Sequence, residues 1–236
     1  MKKSKTMLIV SAMTFAMLTG CAQSQATETM TVGAEVSESV QQEEQSGKKI
    51  LIAYFTRAEN IGGVPTVDAT SSASIHIQGT EAVGNLKIMA DEIAAVTGAE
   101  EFSILTAESY PEGYRDTTNL AKQEQNEQAR PELASHVEDM SQYDIIFLGY
   151  PNWWGGLPMA VMTFLEEYDF AGKTIIPFAS HGGSDLGSGP SEIAAICPDA
   201  ILLDGFAVSH SAVESSQTDV ENWVNDLLPQ LMNGNN

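Results

Sequence analysis

Asp144-Ile-Ile-Phe-Leu-Gly-Tyr-Pro-Asn-Trp-Trp-Gly-Gly-Leu157 is the stretch on which the fold turns. Ile145 to Leu148 is an uninterrupted apolar run with β-branched and aromatic members. It is too short for a helix and suits a strand buried on both faces. The run stops at Gly149, and Tyr150 to Gly156 then places two adjacent indoles and two glycines in a loop. Pro158 opens an apolar-periodic segment suited to a helix, because a proline in the first helical position lacks only an N–H that would have had no partner. Ligands of open α/β sheets sit at the carboxyl ends of strands, and an indole-walled crevice there suits a flat aromatic molecule. Burial of Trp153 and Trp154 as core aromatics is the competing reading, since Trp is often highly buried. Neighbouring residues of one strand point to opposite faces, so both indoles cannot turn inward together.

Outward from this unit, strands and helices alternate. Ile50 to Phe55 is a first buried strand, and Val83, Leu86, Ala90, Ile93 and Val96 recur at helical spacing up to Gly98, a good helix terminator. Phe102 to Leu105 is a short second strand. Tyr114 to Ala129 follows as a helix closed by Pro131. The third strand, Ile145 to Leu148, is followed by the helix Pro158 to Tyr168. Thr174 to Ala179 is the fourth strand, where Pro177 removes a backbone donor and predicts a bulge. Ala200 to Leu203 is the fifth strand, and Val220, Trp223, Val224, Leu227, Leu228 and Leu231 make a closing amphipathic helix. Such alternation implies right-handed crossovers and a parallel sheet covered on both sides, an α/β fold.

The chain has 236 residues, of which Met1 to Gly20 read as a secretion signal: Lys2, Lys3 and Lys5, then an apolar core from Met7 to Leu18, too short to span a membrane. Leu18-Thr19-Gly20-Cys21 looks like a bacterial lipobox, which makes Cys21 the lipidated first residue of the mature protein; an ordinary cut near Ala22 is the alternative. Removal of the signal leaves 8 basic against 32 acidic residues, a net charge of −24. Cys197 is then the sole remaining cysteine, so no intramolecular disulfide can form. Residues 21–47 are rich in Gln, Ser, Thr, Ala and Glu with no sustained apolar period, and read as a disordered acidic tether reaching roughly 25 to 30 Å. The folded domain is expected over 48–232, with 233–236 a tail. Its strong acidity makes nucleic acid and anionic lipid faces poor partners, and suits a basic redox partner or solubility alone.

Four segments carry a resemblance: Ile50-Leu-Ile-Ala-Tyr-Phe-Thr-Arg57, Phe147-Leu-Gly-Tyr-Pro-Asn-Trp-Trp-Gly-Gly-Leu-Pro-Met159, Thr174-Ile-Ile-Pro-Phe178 and Ser180-His-Gly-Gly-Ser-Asp-Leu-Gly187. Together, over about Lys49 to Met232, they resemble the flavodoxin family in its quinone-reductase-type branch. The resemblance implies a flavodoxin-like doubly wound five-stranded parallel sheet of order 2-1-3-4-5 with FMN at its switch point. It also implies roles. Thr56, Arg57 and the segment Gly84, Asn85 and Leu86 would hold the phosphate, through a hydroxyl, an amide and N–H groups at a helix start. Pro151, Asn152, Trp153, Trp154 and Gly155 would lie along one side of the isoalloxazine. Ser180, His181, Gly182, Gly183 and Ser184 would enclose its other edge, the glycines letting backbone donors approach. His181 is the candidate proton donor.

Short relatives run from the first strand directly into its helix, whereas here about twenty-five residues intervene, an unusually long loop. That moves the phosphate role from Asn60 to Asn85. The insertion contains Val67-Asp-Ala-Thr-Ser-Ser-Ala-Ser74. Asp68, Ser71 and Ala73 place Ser74 as the last hydroxyl of a motif resembling the acceptor at which a flavin transferase attaches FMN through its phosphate. Ser72 stands where that motif usually has glycine.

Other patterns fail when spelled out. Gly172-Lys173-Thr174 lacks the upstream glycine of a P-loop, Ser188 lacks the glycine of a nucleophile elbow, and His76, His136, His181 and His210 have no metal-ligand spacing. No metal is expected. The reading is an extracytoplasmic bacterial membrane lipoprotein that binds FMN and transfers electrons to or from a redox partner protein or a quinone-type small molecule. A quinone reductase fed by NAD(P)H or a quinol is the alternative, and a flavin-free binding lipoprotein a third.

Overall fold

The computed structural model describes residues 47–62, 75–78 and 81–232. The apolar runs become its sheet. β1 (Ile50–Tyr54) is buried along its whole length, as is the sequence that later forms β5 (Ile145–Pro151). Between them come β2 (Ile75–Gln78), β3 (Glu81–Gly84), α1 (Asn85–Thr97), β4 (Glu100–Ser103) and α2 (Tyr114–Glu127). After β5 follow α3 (Met159–Glu167), β6 (Thr174–His181), α4 (Gly189–Ile196), β7 (Ile201–Leu202), β8 (Phe206–Ser209) and α5 (Gln217–Met232). The main sheet has the order β4-β1-β5-β6-β7, with β8 also on β6, and every pairing in it is parallel. Taking β7 and β8 as one interrupted strand, this is the expected order 2-1-3-4-5.

Both faces of the strands are covered, which is why the runs are continuous and not alternating. Ile52, Phe147 and Ile176 pack with Leu86, Met89, Ile93, Val220 and Val224 of α1 and α5. Leu51, Ala53, Ile146 and Leu148 point the other way, onto Val161, Phe164 and Ile193 of α3 and α4. Each large side chain sealed in this way contributes about 1.5–3 kcal/mol.

Pro177 acts differently from the expectation. β6 runs through it in unbroken register with β5, with no bulge. The interruption falls on the neighbouring strand. Leu203 N–H donates to Ile175 O (3.0 Å) and Ile201 N–H to Lys173 O (2.8 Å), so odd-numbered residues of β6 face that neighbour, and Pro177 offers it no N–H. Pairing with β7 ends at Ile175 and resumes with β8 at Phe178. Gly205 sits in the gap, where an added Cβ would lie 2.5 Å from Pro177 O.

Helix ends follow local chemistry. Gly98 takes φ 66° and its N–H closes on Ala94 O at 2.8 Å, a left-handed terminus that glycine adopts without penalty. Pro158 is the N-cap of α3 and not its first helical residue. Val83 belongs to β3, so α1 starts two residues later than its apolar spacing predicts. β2 and β3 pair antiparallel as a separate hairpin with Ile75 opposite Gly84, so the long segment after β1 carries structure that its sequence did not announce.

Candidate functional site

The loops after β1, β5 and β6 meet at the carboxyl edge of the sheet. In the loop after β5, Trp153 and Gly156 exchange both backbone hydrogen bonds at 3.1 Å. The residues between them, Trp154 at φ 53° and Gly155 at φ 90°, form a primed two-residue turn. A bulky residue at positive φ is an outlier, and its place here separates the two indoles. Trp153 turns inward and meets Phe55 and Tyr110 edge-on, at centroid distances of 5.4 and 5.3 Å. Trp154 turns outward and is 54% exposed; its indole N–H donates to Thr118 O of α2 at 2.9 Å, and Lys122 lies 5.2 Å over its ring. The two indoles thus point apart, Trp153 half-buried against aromatic neighbours and Trp154 exposed.

The loop after β6 is tied to this turn. Ser180 is buried and its carbonyl accepts Asn152 N–H at 2.9 Å, while Asn152 Nδ2 donates to Asp185 O at 2.8 Å. Tyr150 Oη donates to Leu186 O at 2.9 Å, and burial beside the Glu192 and Asp185 carboxylates raises its phenol above the ordinary value. Ser188 N–H reaches Gly155 O at 2.7 Å. Gly187, at φ 59°, passes so close that a Cβ there would lie 2.2 Å from Gly155 O. The tryptophan turn therefore packs directly against the segment Asp185 to Ser188 of the loop after β6.

Glu192 of α4 was not anticipated in this crown. Its carboxylate accepts Leu157 N–H at 2.8 Å and lies 2.9 Å from Ser188 Oγ. No acid occurs in the sequence from Tyr150 to Val161, yet the fold brings one beneath Gly156. At the rim, Gly182, Gly183 and Ser184 are exposed. His181 Nδ1 accepts Gly183 N–H at 2.9 Å, so a neutral imidazole carries its proton on Nε2.

At the other end of the crevice, Thr56 and Gly84 come together across the insertion. Thr56 is fully buried, and a Cβ on Gly84 would lie 1.8 Å from Thr56 Oγ1. Asn85, the first residue of α1, and Leu86 are both fully buried. Among the described residues, the amide nitrogen and oxygen of Asn85 have no hydrogen-bond partner. Arg57 is 1% exposed and turned toward α2, where Nε donates to Thr117 Oγ1 (3.1 Å) and Nη2 to Glu112 O (2.6 Å). Asn60 is wholly committed: Nδ2 donates to Thr56 O and Ile104 O at 2.9 and 3.0 Å, and Oδ1 accepts Thr106 N–H and Oγ1–H at 2.7 and 3.0 Å.

The orphaned Asn85 Nδ2 at a helix start is a donor of the kind a phosphate ester needs, and the N–H dipoles of the first turn favour the same negative charge. Cys21, Asp68, Ser71, Ala73 and Ser74 lie outside the described residues. Among the described residues no cluster of three or more His, Cys, Asp or Glu could hold a metal ion.

A parallel sheet whose strand order reverses between β1 and β5, with the loops after β1, β5 and β6 gathered at that edge, is a doubly wound α/β fold. The family model described as Flavodoxin matches residues 74–227, and the chain belongs to the flavodoxin family. No curated protein matches it. Among solved structures, a candidate flavoprotein of Bacteroides uniformis is 26% identical, with a TM-score of 0.56 over 76% of this chain and 99% of that one. A second, from Bacteroides eggerthii, is 25% identical, with a TM-score of 0.52 over 74% and 98%. A flavoprotein of Lactobacillus acidophilus solved with FMN shares the fold at 17% identity, with a TM-score of 0.51 over 72% and 98%.

Proposed function

We propose that this chain is an FMN flavoprotein that transfers electrons outside the cytoplasm, held at a bacterial membrane by lipid on Cys21. The observation that carries the reading is the buried Asn85 amide, beside Thr56 and at the opening turn of α1, which lacks any partner among the described residues. A buried polar group in that condition costs about 1–3 kcal/mol, so its retention calls for a ligand. Family membership supports FMN as that ligand. Bound FMN supplies one- and two-electron transfer, and the protein supplies position and electrostatics.

In this reading Thr56, Asn85 and the N–H groups of Gly84 to Leu86 hold the phosphate. Pro151 to Gly155 and Ser180 to Ser184 flank the ring, and Gly182 and Gly183 admit its polar edge. Arg57 contributes by bracing the phosphate loop against α2. The quinone-reductase alternative draws support from His181, whose Nε2–H is a donor held in one tautomer by Gly183. Glu192 works against it, because a carboxylate under the turn disfavours an anionic reduced ring.

The cofactor is further proposed to be tethered through Ser74. Ile75, the residue after Ser74 in the sequence, pairs with Gly84 in the β2–β3 hairpin, and Gly84 abuts Thr56 and precedes α1. Attachment takes FAD as donor: Ser74 Oγ forms a bond to the flavin-side phosphorus, the pyrophosphate bond breaks, AMP leaves, and the hydroxyl proton is released.

Purification of the exported form tests all three points. A flavin spectrum is expected, and an apoprotein that refuses added FMN overturns the proposal. Anaerobic reductive titration separates a carrier, reduced in two one-electron stages, from a reductase, reduced in a single two-electron stage. Intact mass after denaturation is expected to retain FMN; its loss removes the tether alone.

A further inference from the structure

The two indoles have parted company, and the outward one has no role in the packing beneath the turn. Glycine at position 154 would satisfy φ 53° with less strain, yet the residue is tryptophan, pinned by one hydrogen bond to the Thr118 carbonyl and by Lys122 over its ring. Trp154 and Tyr114 are the two exposed aromatic residues among those described. On α2, at about 100° per residue, Tyr114, Arg115, Thr118 and Lys122 fall within an arc of about 100°. The helix therefore presents a tyrosine, two cations and the anchoring carbonyl of Trp154 on one face.

Charge adds to that face. The chain carries 32 acidic and 11 basic residues. Lys87 is paired with Asp91 and Glu101, and Arg130 with Glu166. Arg115 and Lys122 make no ion pair with any described acid; Lys122 donates only to the neutral Gln125 side chain, at 2.8 Å. An exposed indole with Lys122 over its ring and Arg115 on the same face of α2, in a strongly acidic protein, favours a flat anion at that face.

We propose that Trp154, Tyr114, Arg115 and Lys122 form a binding subsite at the mouth of the crevice for a planar aromatic anion, the class that includes sulfonated and carboxylated quinones. The ring stacks on the aromatic surface, and its acidic substituents reach the two cations. This inference rests on the electron-transfer reading, for which such a molecule is the redox substrate. It also separates two tasks: Trp153 walls the crevice, and Trp154 receives what comes to it.

The test uses the purified exported protein, with anthraquinone-2,6-disulfonate as probe and uncharged 2-(hydroxymethyl)anthraquinone as control. Binding is read by equilibrium dialysis at low salt, with FMN content measured on the same samples. The disulfonate is expected to bind about tenfold tighter than the control. Lys122→Gln and Arg115→Gln are each expected to weaken it about threefold, with FMN content unchanged, and salt near 0.5 M to erase the discrimination. Equal binding of the two probes, or unchanged disulfonate affinity in the double variant, overturns the subsite. If the wild type carries no FMN and binds none, the electron-transfer reading fails instead, and the dialysis result still decides the subsite.

Discussion

Asn60 and Asn85 lie at opposite ends of the segment joining β1 to α1, and both are sealed from solvent, at 4% and 0% exposure. Their bonding is opposite. Asn60 spends its amide on Thr56 O, Ile104 O and two atoms of Thr106, lacing the loop after β1 to the loop after β4. Asn85 spends none of its amide on any described residue. One asparagine therefore belongs to the fold and the other, on the proposed reading, serves the cofactor's phosphate, although residue type and burial do not distinguish them. What separates them is whether the surrounding backbone already uses their donors and acceptors.

That contrast can be broken or sharpened by substitution. Asn60→Leu strands two backbone carbonyls and an N–H that it now serves, and should cost about 3–4 kcal/mol in urea unfolding. An apoprotein loss below about 1 kcal/mol would mean that Asn60 is no brace. Gly84→Ala drives a methyl into Thr56 Oγ1 and should cost about 2–3 kcal/mol by the same measurement, without loosening the Asn60 network. Asn85→Leu should leave the apoprotein no less stable, and up to about 1–3 kcal/mol more stable, while weakening FMN about 10- to 100-fold in a fluorescence titration. Should the apoprotein unfold and FMN affinity stay constant, the two asparagines have been assigned the wrong way round.

The smallest effect lies on the far side of α1. Burial, with the Glu221 and Asp91 carboxylates nearby, pushes the Glu92 carboxyl up to about 7. A folded value above the unfolded one favours the protonated form in the folded state. The resulting stability is therefore present below the ordinary carboxylate range and is lost as pH rises through 7. Because the group is partly solvated, the loss between pH 5 and 8 should be about 1 kcal/mol. Glu92→Gln should flatten that slope in chemical denaturation; an unchanged slope assigns the titration elsewhere.

Much of this was legible in the residues. Strands buried on both faces announce themselves as unbroken apolar runs, and Ile50, Ile145 and Thr174 each open one. Gly98 marks a helix end because a left-handed residue is needed there. The β2–β3 hairpin was not legible, since Ile75–Gln78 and Glu81–Gly84 are short and mixed in polarity, and Val83 falls in phase with the helix that follows. Glu192 was missed because its partners, Leu157 and Ser188, are brought to it by the fold and not by sequence spacing. The division of the tryptophans was half legible: adjacency forbids a shared direction, while the turn that sends Trp154 to α2 depends on positive φ at a residue where sequence predicts none.

The interrupted strand beside Pro177 has a consequence for crowding. Copies crowded together would expose their outermost strands to one another, and a long straight border invites intermolecular ladder formation. Here that border is two pieces of two and four residues divided by Leu203, Asp204 and Gly205. A missing donor inside the sheet thus becomes protection against self-templating at its rim.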